Sequence, residues 1–209
     1  MSKAATIRVL VADDHPVVCM GLSAIISTQP DMELVAQAAN GREAINLFRT
    51  HLPDITLMDL RMPECGGVEA IRAIRAFSQH GAFIVLTTYQ GDEDIHKALV
   101  AGAQAYLLKG MRHDELVQAI RSVNAGLRYL PPAVTKSLAE RPPGTELSAR
   151  ELDILRLIAK GLSNKQIAGM LGITEGTVKW HVNIILSRLN VSDRTQAVVT
   201  AVHRGIVEL

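Results

Sequence analysis

The chain has 209 residues, of which 48% are apolar, so it is long enough for one large domain or two small ones with a sizeable core. Its two cysteines, Cys19 and Cys65, form no metal-binding spacing and predict free thiols in a reducing compartment, the cytoplasm. We expect neither a secreted nor a membrane protein, because we find no signal peptide and no apolar run of membrane-spanning length. The net charge of +1 hides an asymmetry, because residues 1–130 carry net −2 and residues 145–209 carry net +2, a mild indication of a nucleic-acid partner.

The first 125 residues alternate short apolar runs with segments of helical periodicity. Strands are predicted over residues 8–12, 32–36, 55–58, 82–86 and 105–108, and helices over residues 17–28, 42–51, 67–77, 92–101 and 112–125. Five such repeats imply a parallel sheet that right-handed crossover helices cover on both faces. The sequence therefore predicts an α/β doubly wound domain with a five-stranded parallel sheet over residues 1–125.

Residues 126–147 have the composition of a linker, because Gly126, Pro131-Pro132 and Pro142-Pro143-Gly144 fall close together there. A short helix over residues 133–139 is expected to interrupt this linker.

Every segment from Ser148 onward has helical periodicity. The predicted N-terminal caps of four successive helices are Ser148, Ser163, Thr174, and Ser192 or Asp193. A tight Gly-Ile-Thr turn separates the second of these helices from the third. This arrangement predicts an all-α, four-helix domain with a helix-turn-helix unit over residues 148–209.

Polar side chains stand at the ends of four predicted strands: Asp13 and Asp14, then Asp59, Thr87 and Lys109. Because the carboxyl ends of parallel strands meet in one crevice, these groups are expected to converge. Three carboxylates repel one another, and their oxygen ligands suit Mg²⁺. A carboxylate beside Mg²⁺ can attack phosphorus, while an ammonium neutralises the developing charge and a hydroxyl donates to a phosphoryl oxygen. The pattern predicts that Asp59 is a phosphoryl acceptor.

Each of these residues has an ordinary structural interpretation when taken singly. An Asp-Asp pair commonly forms a turn with a helix cap, and a lone lysine is commonly solvated. Their joint placement at four separate strand ends carries the functional interpretation.

Residues 7–125 resemble a response-regulator receiver domain, through the acidic pair, the D-x-x-M-P motif at 59–63, and the hydroxyl and lysine after the later strands. The resemblance implies a flavodoxin-like, CheY-like fold. It also implies that Asp14 and Asp59 ligate Mg²⁺ directly with the backbone carbonyl of Arg61. Asp13 would then act through water, as the family pattern has it.

The same resemblance implies a switch, in which Thr87 moves towards the phosphorylated residue and Tyr106 follows it. A plain core tyrosine is the alternative interpretation of Tyr106, because strand five would bury it in any case. Gly110 follows Lys109 where many receivers have a proline that fixes a cis bond, and glycine tolerates unusual backbone dihedrals.

The third C-terminal helix, over residues 175–189, has one apolar stripe and one polar face. The stripe consists of Val178, Val182, Ile185, Leu186 and Leu189, and the opposite face carries Gly176, Trp180, Asn183, Ile184 and Ser187, with Lys179 on its flank. In a DNA major groove, Lys179 could donate to guanine, Asn183 could pair with adenine, and Trp180 could contact thymine methyl groups. Predicted phosphate contacts are Ser163, Asn164, Lys165, Thr177, Arg188 and Arg194. An ordinary solvated helix surface is the alternative.

Residues 145–209 resemble the LuxR-type helix-turn-helix domain, through L-S-x-R-E at 147–151, G-x-S-N-K-x-I-A at 161–168 and T-V-K-x-H at 177–181. With the receiver, this gives the architecture of NarL/FixJ-type response regulators. That family implies a partner histidine kinase, homodimers on double-stranded promoter DNA, and transcription regulation, with RNA polymerase as a further candidate partner and no membrane partner. The expected self-contact is the last helix, with Val198, Val199 and Val202.

Two other functions stay open at this stage. An aspartyl-phosphate phosphotransferase or phosphatase would carry a second acid two residues after its nucleophile, and Arg61 stands there instead. The chain is therefore not expected to be an enzyme, beyond assisting its own phosphorylation and dephosphorylation. A regulator that binds DNA regardless of phosphorylation is the second alternative, and the intact acid pocket argues against it.

Overall fold

The computed structural model describes residues 6–88, 91–139 and 146–207. The chain divides into two compact units, the first with residues 1–89 and 95–135 and the second with residues 90–94 and 136–209. The predicted linker segment Pro142-Pro143-Gly144 lies outside the described residues, as do the outer ends of the two predicted domains. The boundaries of those domains at residues 125 and 148 stay predictions.

Five strands form one parallel sheet in the N-terminal unit. They are β1 (Ile7–Ala12), β2 (Met32–Ala38), β3 (Ile55–Met58), β4 (Ala82–Thr87) and β5 (Ala105–Leu108). Their order across the sheet is β2-β1-β3-β4-β5, and every neighbouring pair is parallel. This five-stranded parallel sheet confirms the predicted fold class. Parallel neighbours require crossover connections, which the helices between the strands provide.

Six helices accompany or follow this sheet. They are α1 (Pro16–Ser27), α2 (Gly41–His51), α3 (Gly67–Arg75), α4 (Asp92–Ala101), α5 (His113–Asn124) and α6 (Pro132–Ala139). Among the described residues, no helix of the chain is both long and apolar enough to cross a lipid bilayer.

The sheet is buried on both faces, which explains its nearly continuous apolar strands. On one face, β1, β3, β4 and β5 pack with α1 and α5 in a single cluster that includes Val9, Leu57 and Ile120. On the other face, Phe48 of α2 stacks on Phe83 of β4 with ring centroids 5.8 Å apart.

Thr56 of β3 places a hydroxyl in this core. The residue is fully buried, and its Oγ1 atom has no hydrogen-bond partner among the described residues. A buried hydroxyl without a partner forfeits its hydration without compensation.

We expect Thr56→Val to raise the free energy of unfolding by about 1 kcal/mol, because valine has nearly the same shape and carries no group that needs a partner. Urea denaturation of the two proteins measures this, and the m-value should stay constant. Destabilisation by the valine would contradict the unsatisfied hydroxyl.

The C-terminal unit contains four further helices: α7 (Ala149–Ala159), α8 (Asn164–Leu171), α9 (Glu175–Leu189) and α10 (Arg194–His203). Ser148 and Ser163 form complete capping boxes, Thr174 caps α9, and Asp193 rather than Ser192 caps α10. Gly172 adopts a left-handed conformation (φ 65°) that ends α8 and opens the short turn into α9. Residues of all four helices share one core, centred on Ile154, Ile167, Val178, Ile185 and Ala201.

Candidate functional site

The strand order reverses between β1 and β3, so the crevice for ligands lies at their carboxyl ends. Asp13 and Asp59 directly continue these strands there, and both are almost fully buried. Their backbones extend the ladder, because Asp59 N donates to Ala12 O at 2.8 Å and Asp13 N donates to Ala38 O at 3.0 Å. The sheet therefore holds the two carboxylates side by side.

Lys109 links these carboxylates from the end of β5. Its Nζ lies 2.7 Å from Asp13 Oδ2 and 2.5 Å from Asp59 Oδ2. Its backbone N donates to Thr87 O at 2.7 Å, which ties the end of β5 to the end of β4. One ammonium thus pairs with acids that lie 50 and 96 positions away in the sequence.

The pKa of Lys109 is the net result of opposed causes. Burial alone would lower it, but hydrogen bonds and negative charge from Asp13 and Asp59 outweigh burial, and the pKa stands above its usual value. The ammonium is therefore fully charged at neutral pH, and it neutralises one of the three acidic charges in the crevice.

The Asp14 carboxylate has a buried oxygen that lacks a hydrogen bond from the described part of the chain. Its Oδ1 atom is buried and, among the described residues, accepts no hydrogen bond, although His15 Nδ1 lies 2.9 Å away. One candidate ligand atom from each of Asp13, Asp14, His15 and Asp59 lies within 4.8 Å of the others. Three carboxylates with one ammonium carry a formal charge of −2, so the donor set fits one divalent cation.

His15 is a member of this cluster that the sequence analysis missed. The available signal was its position directly after the acidic pair, at the start of α1. Its Nδ1 atom lies 3.1 Å from Asp13 Oδ1.

The far side of Asp59 faces the loop into α3. The Arg61 backbone N lies 3.4 Å from Asp59 Oδ1, a weak contact. Gly67, the first residue of α3, donates from its N to Leu60 O at 3.0 Å. A Cβ atom at Gly67 would overlap the carbonyl oxygen of Asp59, so this close approach requires glycine.

Thr87 and Tyr106 are fully buried in β4 and β5, where Val85 pairs with Tyr106 and Thr87 with Leu108. Their proposed switch roles stay predictions. Gly110 adopts a positive φ of 104°, and no cis peptide bond occurs in the described part of the chain.

Lys179, Trp180 and Asn183 are exposed on α9, opposite the buried Val178, Ile185 and Leu189. Lys179 Nζ lies 3.2 Å from Glu175 Oε1, one helical turn earlier. Trp180 is 60% exposed, and its only described ring contact is with His181, at 4.8 Å between centroids. The exposed ring is therefore available for contact with a binding partner.

The predicted phosphate contacts fall into two groups. Ser163 and Lys165 are exposed near the start of α8. Thr177, Asn164 and Arg194 are half-buried and already engaged. Thr177 Oγ1 lies 2.9 Å from Thr174 Oγ1, whereas Arg194 donates to Asn164 Oδ1 at 3.2 Å and to the Leu162 carbonyl.

Arg188 also has internal partners. Its Nη1 donates to Glu151 Oε2 at 2.5 Å and to the Glu146 carbonyl at 2.7 Å. Glu151 is buried, and the same Oε2 accepts from Ser148 N at 2.8 Å in the capping box of α7. The guanidinium therefore joins α9 to the start of α7, whatever contact it makes with DNA.

We expect Arg188→Met to destabilise the protein by about 1–2 kcal/mol, because the variant leaves the buried Glu151 carboxylate without its cation. The loss stays this small because solvent partly screens the guanidinium of the wild-type protein. Chemical denaturation followed by circular dichroism measures the change. If the protein keeps its full stability while DNA affinity falls, Arg188 is a phosphate contact and not a structural cation.

Of the three valines predicted to form a self-contact on α10, the structure leaves one largely exposed, and the self-contact itself stays a prediction. Val198 and Val202 pack against the core of their own unit, and only Val199 is largely exposed, at 52%. The periodicity of α10 did not show which side the core would cover.

Comparisons with known proteins match both units. The model "Response regulator receiver domain" matches residues 9–121, and "Bacterial regulatory proteins, luxR family" matches residues 145–201. The response regulator protein VraR of Staphylococcus aureus is 39% identical over 208 residues, which cover 97% of this chain and 100% of VraR.

Two solved structures have the same architecture. The response regulator ChrA of a heme-sensing two-component system is 38% identical with a TM-score of 0.58, over 97% of this chain and 100% of ChrA. RcsB in its complex with DNA is 22% identical with a TM-score of 0.70, over 95% and 98% of the two chains, which is a likeness of fold.

Proposed function

This chain belongs to the two-component response regulators that join a receiver domain to a LuxR-type DNA-binding domain, and on that premise we propose that Asp59 accepts a phosphoryl group that controls DNA binding. A receiver domain implies a histidine kinase as the partner that supplies this group. The family is one of transcription regulators rather than typical enzymes. The observation that carries the proposal is the buried Asp59 carboxylate, held 2.5 Å from the Lys109 ammonium at the strand-order reversal.

The transfer is a displacement at phosphorus. A carboxylate oxygen of Asp59 forms the new P–O bond, and the P–N bond to the kinase histidine breaks, with its electron pair going to the imidazole nitrogen. Lys109 stabilises the charge on the transferred oxygens because it is protonated and already at the acceptor.

Asp14 and Asp59 would hold Mg²⁺ directly, with Asp13 acting through water and the Arg61 backbone carbonyl as a further ligand. The unsatisfied Asp14 Oδ1 atom supports this assignment. When bound, Mg²⁺ supplies positive charge beside the phosphoryl oxygens. Asp13 also keeps Lys109 in place, since it binds the same ammonium as the acceptor.

Phosphorylation would then change the pairing of buried groups. A phosphoryl group on Asp59 competes for Lys109 and accepts from the Thr87 hydroxyl, and Tyr106 follows the movement of β4. We infer a shift between pre-existing states that favours homodimers with higher affinity for promoter DNA. RNA polymerase is a further partner in this proposal. We propose that the protein acts in the bacterial cytoplasm.

DNA recognition is assigned to the exposed face of α9, with Lys179, Trp180 and Asn183 at base edges in the major groove. Ser163 and Lys165 support the phosphate contacts best, because they are exposed. The remaining predicted residues would bind phosphate only through donors that their internal hydrogen bonds do not use. They are Asn164, Thr177, Arg188 and Arg194.

The test uses the full chain with Mg²⁺ and either an acyl-phosphate donor or beryllofluoride. With the acyl-phosphate donor we expect a phosphoryl group on Asp59 by mass spectrometry. With either reagent we expect a shift to dimers in sedimentation and tighter binding to DNA selected from the genome. The matched control adds the donor in the presence of a metal chelator. Modification without any change in association or DNA affinity would instead favour a regulator that binds DNA regardless of phosphorylation.

A further inference from the structure

His15 occupies the N-cap position of α1, but its side chain makes no cap hydrogen bond. Its backbone N donates to Asp13 Oδ1 at 3.0 Å, which fixes the chain direction at this point. The ring turns back over the crevice, where Nδ1 lies 3.1 Å from Asp13 Oδ1 and 2.9 Å from Asp14 Oδ1. An imidazole nitrogen therefore shares the space that the carboxylate oxygens face.

We propose that His15 Nδ1 is a metal ligand that makes this site select divalent transition ions over Mg²⁺. The inference rests on the metal site proposed above and adds a nitrogen donor to its oxygen donors. Mg²⁺ is bound in proteins almost entirely by oxygen, whereas imidazole suits the first-row transition ions. A site with one nitrogen gains affinity for these ions and little for Mg²⁺.

Three observations support a ligand rather than an ordinary surface histidine. The buried Asp14 Oδ1 accepts no hydrogen bond among the described residues, so the contact with the ring does not satisfy it. The ring is 63% exposed, so it can rotate to complete a coordination sphere without disturbing the core. Nδ1 already contacts the acidic oxygens, since it donates to Asp13 Oδ1 at 3.1 Å when it carries the ring proton, and a metal ion at Nδ1 would replace that proton.

A counter-ion role for His15 gives the opposite result. An imidazolium between Asp13 and Asp14 would compete with every cation. Its removal would then tighten the binding of Mg²⁺ and Mn²⁺ alike, whereas removal of a nitrogen ligand weakens Mn²⁺ selectively.

The experiment compares the metal-free full chain with its His15→Gln variant. Electron paramagnetic resonance counts free Mn²⁺ during a titration, and competition gives the Mg²⁺ affinity. We expect His15→Gln to weaken Mn²⁺ binding about tenfold and to leave Mg²⁺ binding within about twofold. Pulsed measurements should show nitrogen coupling to Mn²⁺ in the wild type, and this coupling should vanish in the variant. His80→Gln, at an exposed loop position, is the matched control.

The outcomes separate the two proposals. Nitrogen coupling that is absent from the wild type, equal losses for both ions, or tighter binding of both would overturn the role of His15 while the metal site stands. Mn²⁺ binding that survives Asp14→Asn and Asp59→Asn together would overturn the metal site itself. Thermal denaturation without metal shows whether each variant is folded.

Discussion

Asp59→Asn is expected to abolish phosphorylation and, with it, the gain in promoter affinity that the phosphoryl donor produces. An amide has no anionic oxygen to attack phosphorus, and it offers Lys109 a weaker partner than the carboxylate does at 2.5 Å. We expect at least a thousandfold slower modification, on the order of 4 kcal/mol in the barrier. Mass spectrometry after incubation with Mg²⁺ and an acyl-phosphate donor measures it.

Asp54→Asn is the matched control, because Asp54 precedes the same strand at its opposite end. It accepts a hydrogen bond from Arg8 N at 2.8 Å, which an asparagine oxygen can also accept. This variant should be modified at the wild-type rate. Equal modification of the Asp59→Asn variant at another aspartate would remove Asp59 from the proposed function.

Lys179→Ala is expected to weaken binding to the cognate promoter by about 1–3 kcal/mol and random DNA much less. The lysine is exposed on α9 and must exchange its contact with Glu175 at 3.2 Å for a base edge. Because an exposed pair one helical turn apart contributes only about 0.5 kcal/mol, this exchange does not cancel the gain from the base. Fluorescence anisotropy at fixed salt measures both affinities.

Lys165→Ala provides the comparison from the start of α8, where a cation would bind phosphate. Its loss should be similar on every DNA sequence, and the salt dependence of binding should become shallower. If Lys179→Ala behaved in this same manner, Lys179 would be another phosphate contact and the base readout would have to come from Trp180 or Asn183.

Local patterns predicted most of the fold. The predicted β3 and β5 agree with the observed Ile55–Met58 and Ala105–Leu108, because apolar runs between turn residues define buried strands. The prediction for β2 stopped at residue 36, whereas the strand continues to Ala38, where its carbonyl accepts from Asp13 N. That extension depends on a neighbouring strand, which local composition does not reveal.

Pairings between distant residues could not be predicted. Arg188 and Glu151 are 37 positions apart, and Arg194 and Asn164 are 30 apart, so no sequence window contains either contact. Without these pairings, the sequence predicts both arginines as phosphate contacts. The partial burial of Val198 has the same origin, since the apolar periodicity of α10 does not show which side its neighbours will cover.

The family could be predicted because its motifs fix residue types at strand ends. The matches to the receiver and luxR models confirm the predicted family over most of the chain. The motifs do not show that Lys109 pairs with both Asp13 and Asp59, or that the His15 ring lies beside the acidic pair. Both contacts depend on side-chain geometry.

The contact between Gly67 and the Asp59 carbonyl means that the proposed phosphoryl site can be disabled without altering any charge. A single methyl group at position 67 would push the backbone of the acceptor out of line, although every acid and the ammonium would still be present. A comparison of the charged positions alone would then predict that such a protein accepts a phosphoryl group. Only its main-chain geometry would reveal the defect.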